Sequence, residues 1–298
     1  MALIVAENWQ AKAKAGDLEY ARALEEGHIL LFPRSPIDVP AEDRAFLLEQ
    51  RLVGGVHHKN IAYRPGEDRV KNYVRQKSGD DERLLAAVRR YSQGAIDFVK
   101  ALLPSYAPGL GIDYASFRPE EEAGRKLPTR SRNDLLHVDA FPTRPVRGDR
   151  IMRVFTNINP EAPRVWVTAE TFEELAERFA VASGLLDRVR RGGARRAVQR
   201  VANAVGLPVP ARSPYDEFML GFHHFLKENA EYQASARKLR SEFAPGATWM
   251  VYTDMVSHSV LSGRYALEQT FIVSRDVLAL PEKAPIAILE RIAGARMH

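Results

Sequence analysis

The 298-residue sequence contains no cysteine. That absence excludes disulfides, thiolate metal sites and thiol nucleophiles, so any metal must be held by His, Asp or Glu. It fits a cytoplasmic protein without requiring one. No apolar run approaches the roughly 20 residues that a membrane-spanning helix needs. The opening stretch "MALIVAENWQAKAKAGDLEY" has no positive region ahead of its short apolar run, which stops at Glu7. A secretory leader is therefore not expected, and the mature chain is expected to start here. Repeats and low-complexity linkers are lacking too, and the economical reading is one domain over residues 1–298, with a helical insertion at about 170–245.

What is present is a globular composition, 45% hydrophobic and 27% charged, with a net charge of +5. A basic balance points to an acidic partner, whether nucleic acid, membrane surface or anionic substrate. The first third of the chain reads as mainly helical. Leu18 to Glu26 predicts a helix stopped by Gly27, "HILLFP" a buried strand closed by Pro33, and a further helix spans about Ala41 to Gln50. From about Asp81 to Leu103 a helix carries Leu84, Val88, Tyr91, Ala95, Phe98 and Leu102 on one stripe.

After about Asp113 the pattern turns to short β-rich runs: "DYASFR", "LLHVDAF", "RIMRVFTNIN", "RVWVTA", "TWMVYTDMVSHSV" and "YALEQTFIVS". Between the fourth and fifth, Thr171 with Glu174 forms a capping box ahead of Phe172, Leu175 and Phe179. A later helix opens with Ser213 and Pro214 and carries Phe218, Phe222 and Phe225 on one face. The expected class is α+β: a jelly roll, or double-stranded β-helix, packed on N-terminal and inserted helices.

Strand alternation puts His137 and Asp139 of "RNDLLHVDAFPTRP" on one face, where both can grip one ion. A third ligand is sought among the remaining histidines. His57 and His58 point opposite ways, His223 and His224 sit on a helix beside its phenylalanines, His298 is terminal, and His28 reads as a core residue. His258 shares a face with Met250, Tyr252, Asp254 and Val256 in the fifth run and is the best candidate. Two imidazoles and one carboxylate leave three positions open, as in non-haem iron(II) oxygenases. Zinc with one water could use the same triad. Six residues beyond His258, Arg264 opens the last run, where its planar fork suits the distal carboxylate of 2-oxoglutarate.

The order "HVD", long insertion, "SHS", "GRYALEQTFIV" resembles the iron(II)/2-oxoglutarate-dependent dioxygenases. More specifically, "ALEEGHILLFPR", "HKNIAYRP", "RNDLLHVDAFPTRPVRGDRIMRVFTNINP", "RVWVTAETFEELAE", "YDEFMLGFHHFLKEN" and "GATWMVYTDMVSHSVLSG" resemble the Kdo hydroxylases, which oxidise C3 of 3-deoxy-D-manno-oct-2-ulosonic acid (Kdo) in lipopolysaccharide. The resemblance implies iron(II) on His137, Asp139 and His258, 2-oxoglutarate on Arg264, and conversion of 2-oxoglutarate and O2 to succinate and CO2. In many superfamily members that arginine lies farther from the histidine, which keeps Arg275 as a second candidate.

A Kdo-bearing lipid A acceptor is strongly anionic, and Arg132, Arg144, Arg147, Arg153 and Lys59 are the expected contacts around the metal motif. From Arg188 to Arg212 the segment "RVRRGGARRAVQRVANAVGLPVPAR" holds seven arginines and no acid, Arg195 and Arg196 among them. It reads as a lid or as a contact with an anionic membrane surface, which would place the protein peripherally on the inner face of the cytoplasmic membrane. No nucleic-acid motif accompanies the charge, so no nucleic-acid partner is expected. An oxygenase acting on another acid or on nucleic acid, and a zinc hydrolase, are the competing readings.

Overall fold

Two β-sheets of unequal size face each other in the computed structural model, which describes residues 2–14, 16, 18–54, 59–190 and 212–297. The larger contains β1 (Leu3–Val5), β2 (Ile29–Phe32), β3 (Ile61–Arg64), β4 (Arg69–Lys71), β5 (Leu110–Arg118), β6 (Arg150–Asn157), β9 (Thr248–Tyr252) and β11 (Ala266–Val273). Its spatial order is β1-β2-β9-β6-β11-β5-β3-β4. The smaller has the order β10-β7-β8, with β7 at Arg164–Thr171, β8 at Leu239–Phe243 and β10 at Val256–Ser262. All pairs are antiparallel except β1 with β2. This is the expected jelly roll, and strands far apart in sequence close it.

Helices α1 (Trp9–Lys14), α2 (Glu19–Glu25), α3 (Ala41–Glu49) and α4 (Asp80–Leu102) alternate with the first four strands. The predicted stripe of α4 is buried, and the helix crosses β3, β4, β5 and β11. Polar links fix its seat: Ser92 Oγ donates to Gln269 Oε1 at 2.7 Å. The helices α5 (Phe172–Phe179), α6 (Pro214–Glu228) and α7 (Ala230–Ser235) cover the other side, and α8 (Pro285–Ala293) packs on α5. Both predicted starts are seen: the Thr171–Glu174 capping box opens α5, and Ser213 caps α6 with Pro214 in its first turn.

Three expectations change. The run "TWMVYTDMVSHSV" is not one strand, because it turns at Thr253–Met255, where Met255 N donates to the Tyr252 carbonyl, and passes from the large sheet to the small one. A shared face from Met250 to His258 is thereby broken. The "LLHVDAF" run is extended but joins the small sheet only through the single bridge between His137 and His258. Finally, strand β8 falls inside the expected helical insertion and pairs with β7.

Between the sheets, Phe155, Trp166, Phe243, Trp249, Val251, Val256 and Val260 form a separate apolar cluster. Phe243 and Trp249 stack at 4.0 Å. That plug fills one end of the sandwich. At the other end the inward positions of β5, β6 and β11 become polar, with Ser116, Arg118, Arg153, Glu268 and Thr270 lining a cavity. No helix among the described residues is long and apolar enough to cross a membrane.

Candidate metal centre and substrate cavity

The His137–Asp139 segment is held by backbone pairing from both sides of the β9–β10 turn. His137 and His258 exchange N–H···O=C bonds of 3.1 and 2.9 Å, and Asp139 N donates to the Thr253 carbonyl at 2.8 Å. The two histidine rings lie 4.7 Å apart. His258 also stacks on Trp166 at 5.2 Å. All three side chains are buried.

A third imidazole, His223 from α6, meets His137 edge-on at 4.8 Å. One ligand atom each from His137, Asp139 and His223 fall within 4.8 Å of one another. His223 also lines the cavity with His137 and Asp139, whereas His258 lies behind them. The sequence reading placed His223 beside the phenylalanine stripe and set it aside as a ligand; the helix presents it there with Leu220, His224 and Lys227, and all four face the cavity. That spacing of three and four was the available signal.

Each imidazole is oriented the same way. Nδ1 of His137 meets the Leu135 carbonyl at 2.7 Å, that of His258 the Val256 carbonyl at 2.9 Å, and that of His223 the Val138 carbonyl at 2.8 Å. A carbonyl only accepts, so each Nδ1 carries the proton and each Nε2 keeps its lone pair, the state a metal requires. Burial lowers the pKa of all three, that of His223 to about 3, and keeps the rings neutral. Burial pushes Asp139 up, but Arg153 and then His258 more than offset it and hold its carboxyl well below the usual range. Asp139 Oδ2 lies 3.1 Å from Arg153 Nε but receives no hydrogen bond. A buried carboxylate oxygen without a donor, beside unprotonated imidazole nitrogens, fits a divalent cation.

Beneath this cluster runs a chain of buried ion pairs. Arg153 reaches Glu268 at 3.0 Å, Arg118 reaches the same carboxylate at 2.6 Å, and Arg164 lies 3.4 Å from Glu122. Arg118 and Arg153 hold Glu268, despite its burial, at about 2.

The cavity measures about 620 Å³. Of the predicted substrate contacts it contains Lys59, Arg144 and Arg153. Arg144 is 3.0 Å from Asp113 and stacks on Tyr114 and Phe141. Arg132 is not among the lining residues and pairs with Asp134, and the exposed Arg147 projects elsewhere, its backbone N–H bound to Asp216. Arg195 and Arg196 lie outside the described residues, as do His57 and His58. Lys227 is a lining cation that sequence reasoning missed; burial and the charge of Lys59 lower its pKa to about 7.

Arg264 is not at the cavity. The connection before β11 is tight, with φ of +114° at Gly263 and +62° at Tyr265, and it turns Arg264 to the outside. There it stacks on Tyr265 at 3.8 Å and borders a different hollow with Leu48 to Leu52. Arg275 follows the opposite end of β11, bound through its backbone to Asp149, and does not line the cavity either.

A two-sheet jelly roll that closes His and Asp side chains around one point, beside a cation-lined cavity, defines a mononuclear non-haem metal enzyme. The chain belongs to the 3-deoxy-D-manno-oct-2-ulosonic acid (Kdo) hydroxylase family, whose model matches residues 7–296. It is similar to the Kdo hydroxylase KdoO, described as a non-heme Fe(II) alpha-ketoglutarate dependent dioxygenase. Against the apo form the identity is 32% over 100% of this chain and 97% of that one, with a TM-score of 0.82. The cobalt(II) complex matches at 33%, covering 99% of this chain and 97% of that one, with a TM-score of 0.82. The complex of KdoO with alpha-ketoglutarate and Fe(III) matches at 32%, 100% and 97%, with a TM-score of 0.80. No curated protein matches the chain.

Proposed function

We propose that this chain is an iron(II)- and 2-oxoglutarate-dependent dioxygenase that hydroxylates a Kdo sugar, at C3, in a lipid A precursor or lipopolysaccharide. The observation that carries the reading is the buried cluster of His137, Asp139 and further imidazoles, with every Nδ1 bound to a carbonyl. His137 and Asp139 hold the iron, with His258 as third ligand by chain order; His223, closer to the cavity, is the alternative that the geometry favours. When bound, iron with 2-oxoglutarate and O2 supplies the oxidising chemistry and leaves succinate and CO2. The protein's share is positional. Arg153 and the backbone of Thr253 fix Asp139, and the apolar plug under Trp166 excludes water from behind the site.

The test is succinate release with iron(II), 2-oxoglutarate and O2, measured with and without Kdo-bearing lipid A precursor. Stimulation by the acceptor is expected, and Asp139→Ala should abolish release. Full turnover by that variant, or zinc-dependent hydrolysis without succinate, would overturn the reading.

The arginine-rich segment Arg188 to Arg212 supports peripheral contact with the anionic inner face of the cytoplasmic membrane, each cation near such a surface contributing about 1 kcal/mol. Sedimentation with phosphatidylglycerol-containing vesicles is expected to weaken when Arg195, Arg196 and Arg200 are replaced by Gln. Unchanged binding would remove this segment as the contact.

A further inference from the structure

The cations around the cavity fall into two groups. Arg118, Arg153, Arg144, Arg64 and Arg130 each have a carboxylate within ion-pair distance: Glu268, Asp139, Asp113, Glu67 and Glu228. Lys59 and Lys227 have none among the described residues. Lys227 is only 3% exposed, and its ammonium donates to one acceptor, the Arg130 carbonyl at 3.1 Å. Lys59 donates to Asn133 Oδ1 at 3.4 Å. Both line the same cavity as His137, Asp139 and His223, and Lys227 stands one helical turn beyond His223 on α6.

A buried ammonium offers three donors and is costly to bury without an opposite charge. Asp139 and Asp134 act on Lys227 only from beyond ion-pair distance, and burial lowers the pKa of both lysines. Nothing in the fold requires a lysine there. Leu, Met or Gln would fill the same stretch of helix at lower cost, so the missing partner belongs to a ligand.

We infer that Lys227, on the α6 wall of the cavity, and Lys59, on the segment leading into β3, form a carboxylate-binding subsite between them. The inference deepens the proposed function and rests on it only for the choice of ligands. Two carboxylates are available to this site: that of the acidic sugar, and the distal one of 2-oxoglutarate, which the outward-facing Arg264 does not reach. The chemistry recognised is the same for both.

The experiment uses the full chain loaded with iron(II) under anaerobic conditions, so that binding is read without turnover. Calorimetry with Kdo, and charge-transfer absorbance with 2-oxoglutarate, are compared for the wild type, Lys227→Met and Lys59→Met. Each ligand is paired with its methyl ester, which lacks the carboxylate in question. At least tenfold weaker binding of one acid to Lys227→Met, with its ester bound equally by variant and wild type, is expected; which acid weakens identifies the source. The melting temperature of Lys227→Met should equal or exceed that of the wild type, because the substitution removes a desolvated amine. Binding of both acids within twofold of wild type overturns the inference, whatever the melting temperature. So does weakening of acid and ester alike, the mark of a merely structural lysine. Failure of the proposed activity looks different: succinate would be absent from the wild type while the Lys227-dependent preference for acid over ester persisted.

Discussion

The site's chemistry rests on a few residues whose protonation is set by where they are buried. Unfolded histidine titrates near 6.5, whereas burial lowers His137 and His258 and holds His223 at about 3. As pH falls below 6.5 the unfolded chain takes up protons that the folded site refuses, so stability is complete above that value and declines toward the folded pKa. Glu268 adds a second loss with the same sign: its folded value of about 2 lies below the ordinary 4.5, so its contribution fades as pH falls through that window. The urea midpoint of the metal-free protein should therefore drop between pH 7.5 and 5, and His223→Leu should drop less. A flat midpoint over that range would show that the imidazoles are not buried neutral. These residues also show the limits of the sequence. His137 and Asp139 were legible because alternation along an extended segment needs only local geometry. His223 was not, because the adjacent phenylalanines dominated the reading of its helix, and Lys227 on the same helix carried no motif that singled it out. Arg264 failed for a conformational reason: two positive φ values in a three-residue connection cannot be read from "GRY".

At the scale of elements, the turn between β9 and β10 is the hinge on which both halves of the candidate ligand cluster hang. Its Thr253 carbonyl binds Asp139 N, and the strand that leaves it carries His258. The turn contains neither Gly nor Pro, which is why "TWMVYTDMVSHSV" reads as a single strand. Asp254 explains the break. Its carboxylate takes Arg150 Nε at 3.0 Å, Arg150 Nη2 at 3.2 Å and Ile151 N at 3.2 Å, all fully buried. Arg150 also stacks on Tyr252 at 4.1 Å. The pair anchors the turn to β6 at the point where the chain changes sheets. Asp254→Ala leaves Arg150 buried without a counter-charge, for which about 3–5 kcal/mol is the usual cost. Urea denaturation should show that loss, and cobalt(II) affinity should fall with it, since Asp139 and His258 lose their common support. Native-like metal affinity in a destabilised Asp254→Ala protein would mean that the turn stabilises the fold without positioning the ligands.

Over the whole molecule, the ends of the chain are built into the same structure as its middle. β1 at Leu3–Val5 extends the large sheet through β2 and β9, Trp9 of α1 packs on Phe98 of α4 at 5.1 Å, and Met297 near the C-terminus is buried, its carbonyl bound to Tyr215 N at the start of α6. The sheet therefore mixes strands from the beginning, middle and end of the sequence, and no segment of it can leave without unpairing a neighbour. The jelly-roll class was legible because short β-rich runs with turn signals need no knowledge of pairing. The order β1-β2-β9-β6-β11-β5-β3-β4 was not, since most neighbours in it are chosen by distant contacts, as far apart as Leu30 with Met250. A fold closed in this way should melt as one unit. Fluorescence of Trp9, Trp166 and Trp249 samples the N-terminal helix and the space between the sheets, and it should fall in the same transition as far-UV circular dichroism. Manganese(II) with 2-oxoglutarate at about a hundredfold excess over its dissociation constant adds about 2.7 kcal/mol of linkage. The whole transition should then move upward by on the order of 5 °C. A separate early transition for the N-terminal segment, or a shift confined to one probe, would mean that residues 1–298 contain more than one cooperative unit.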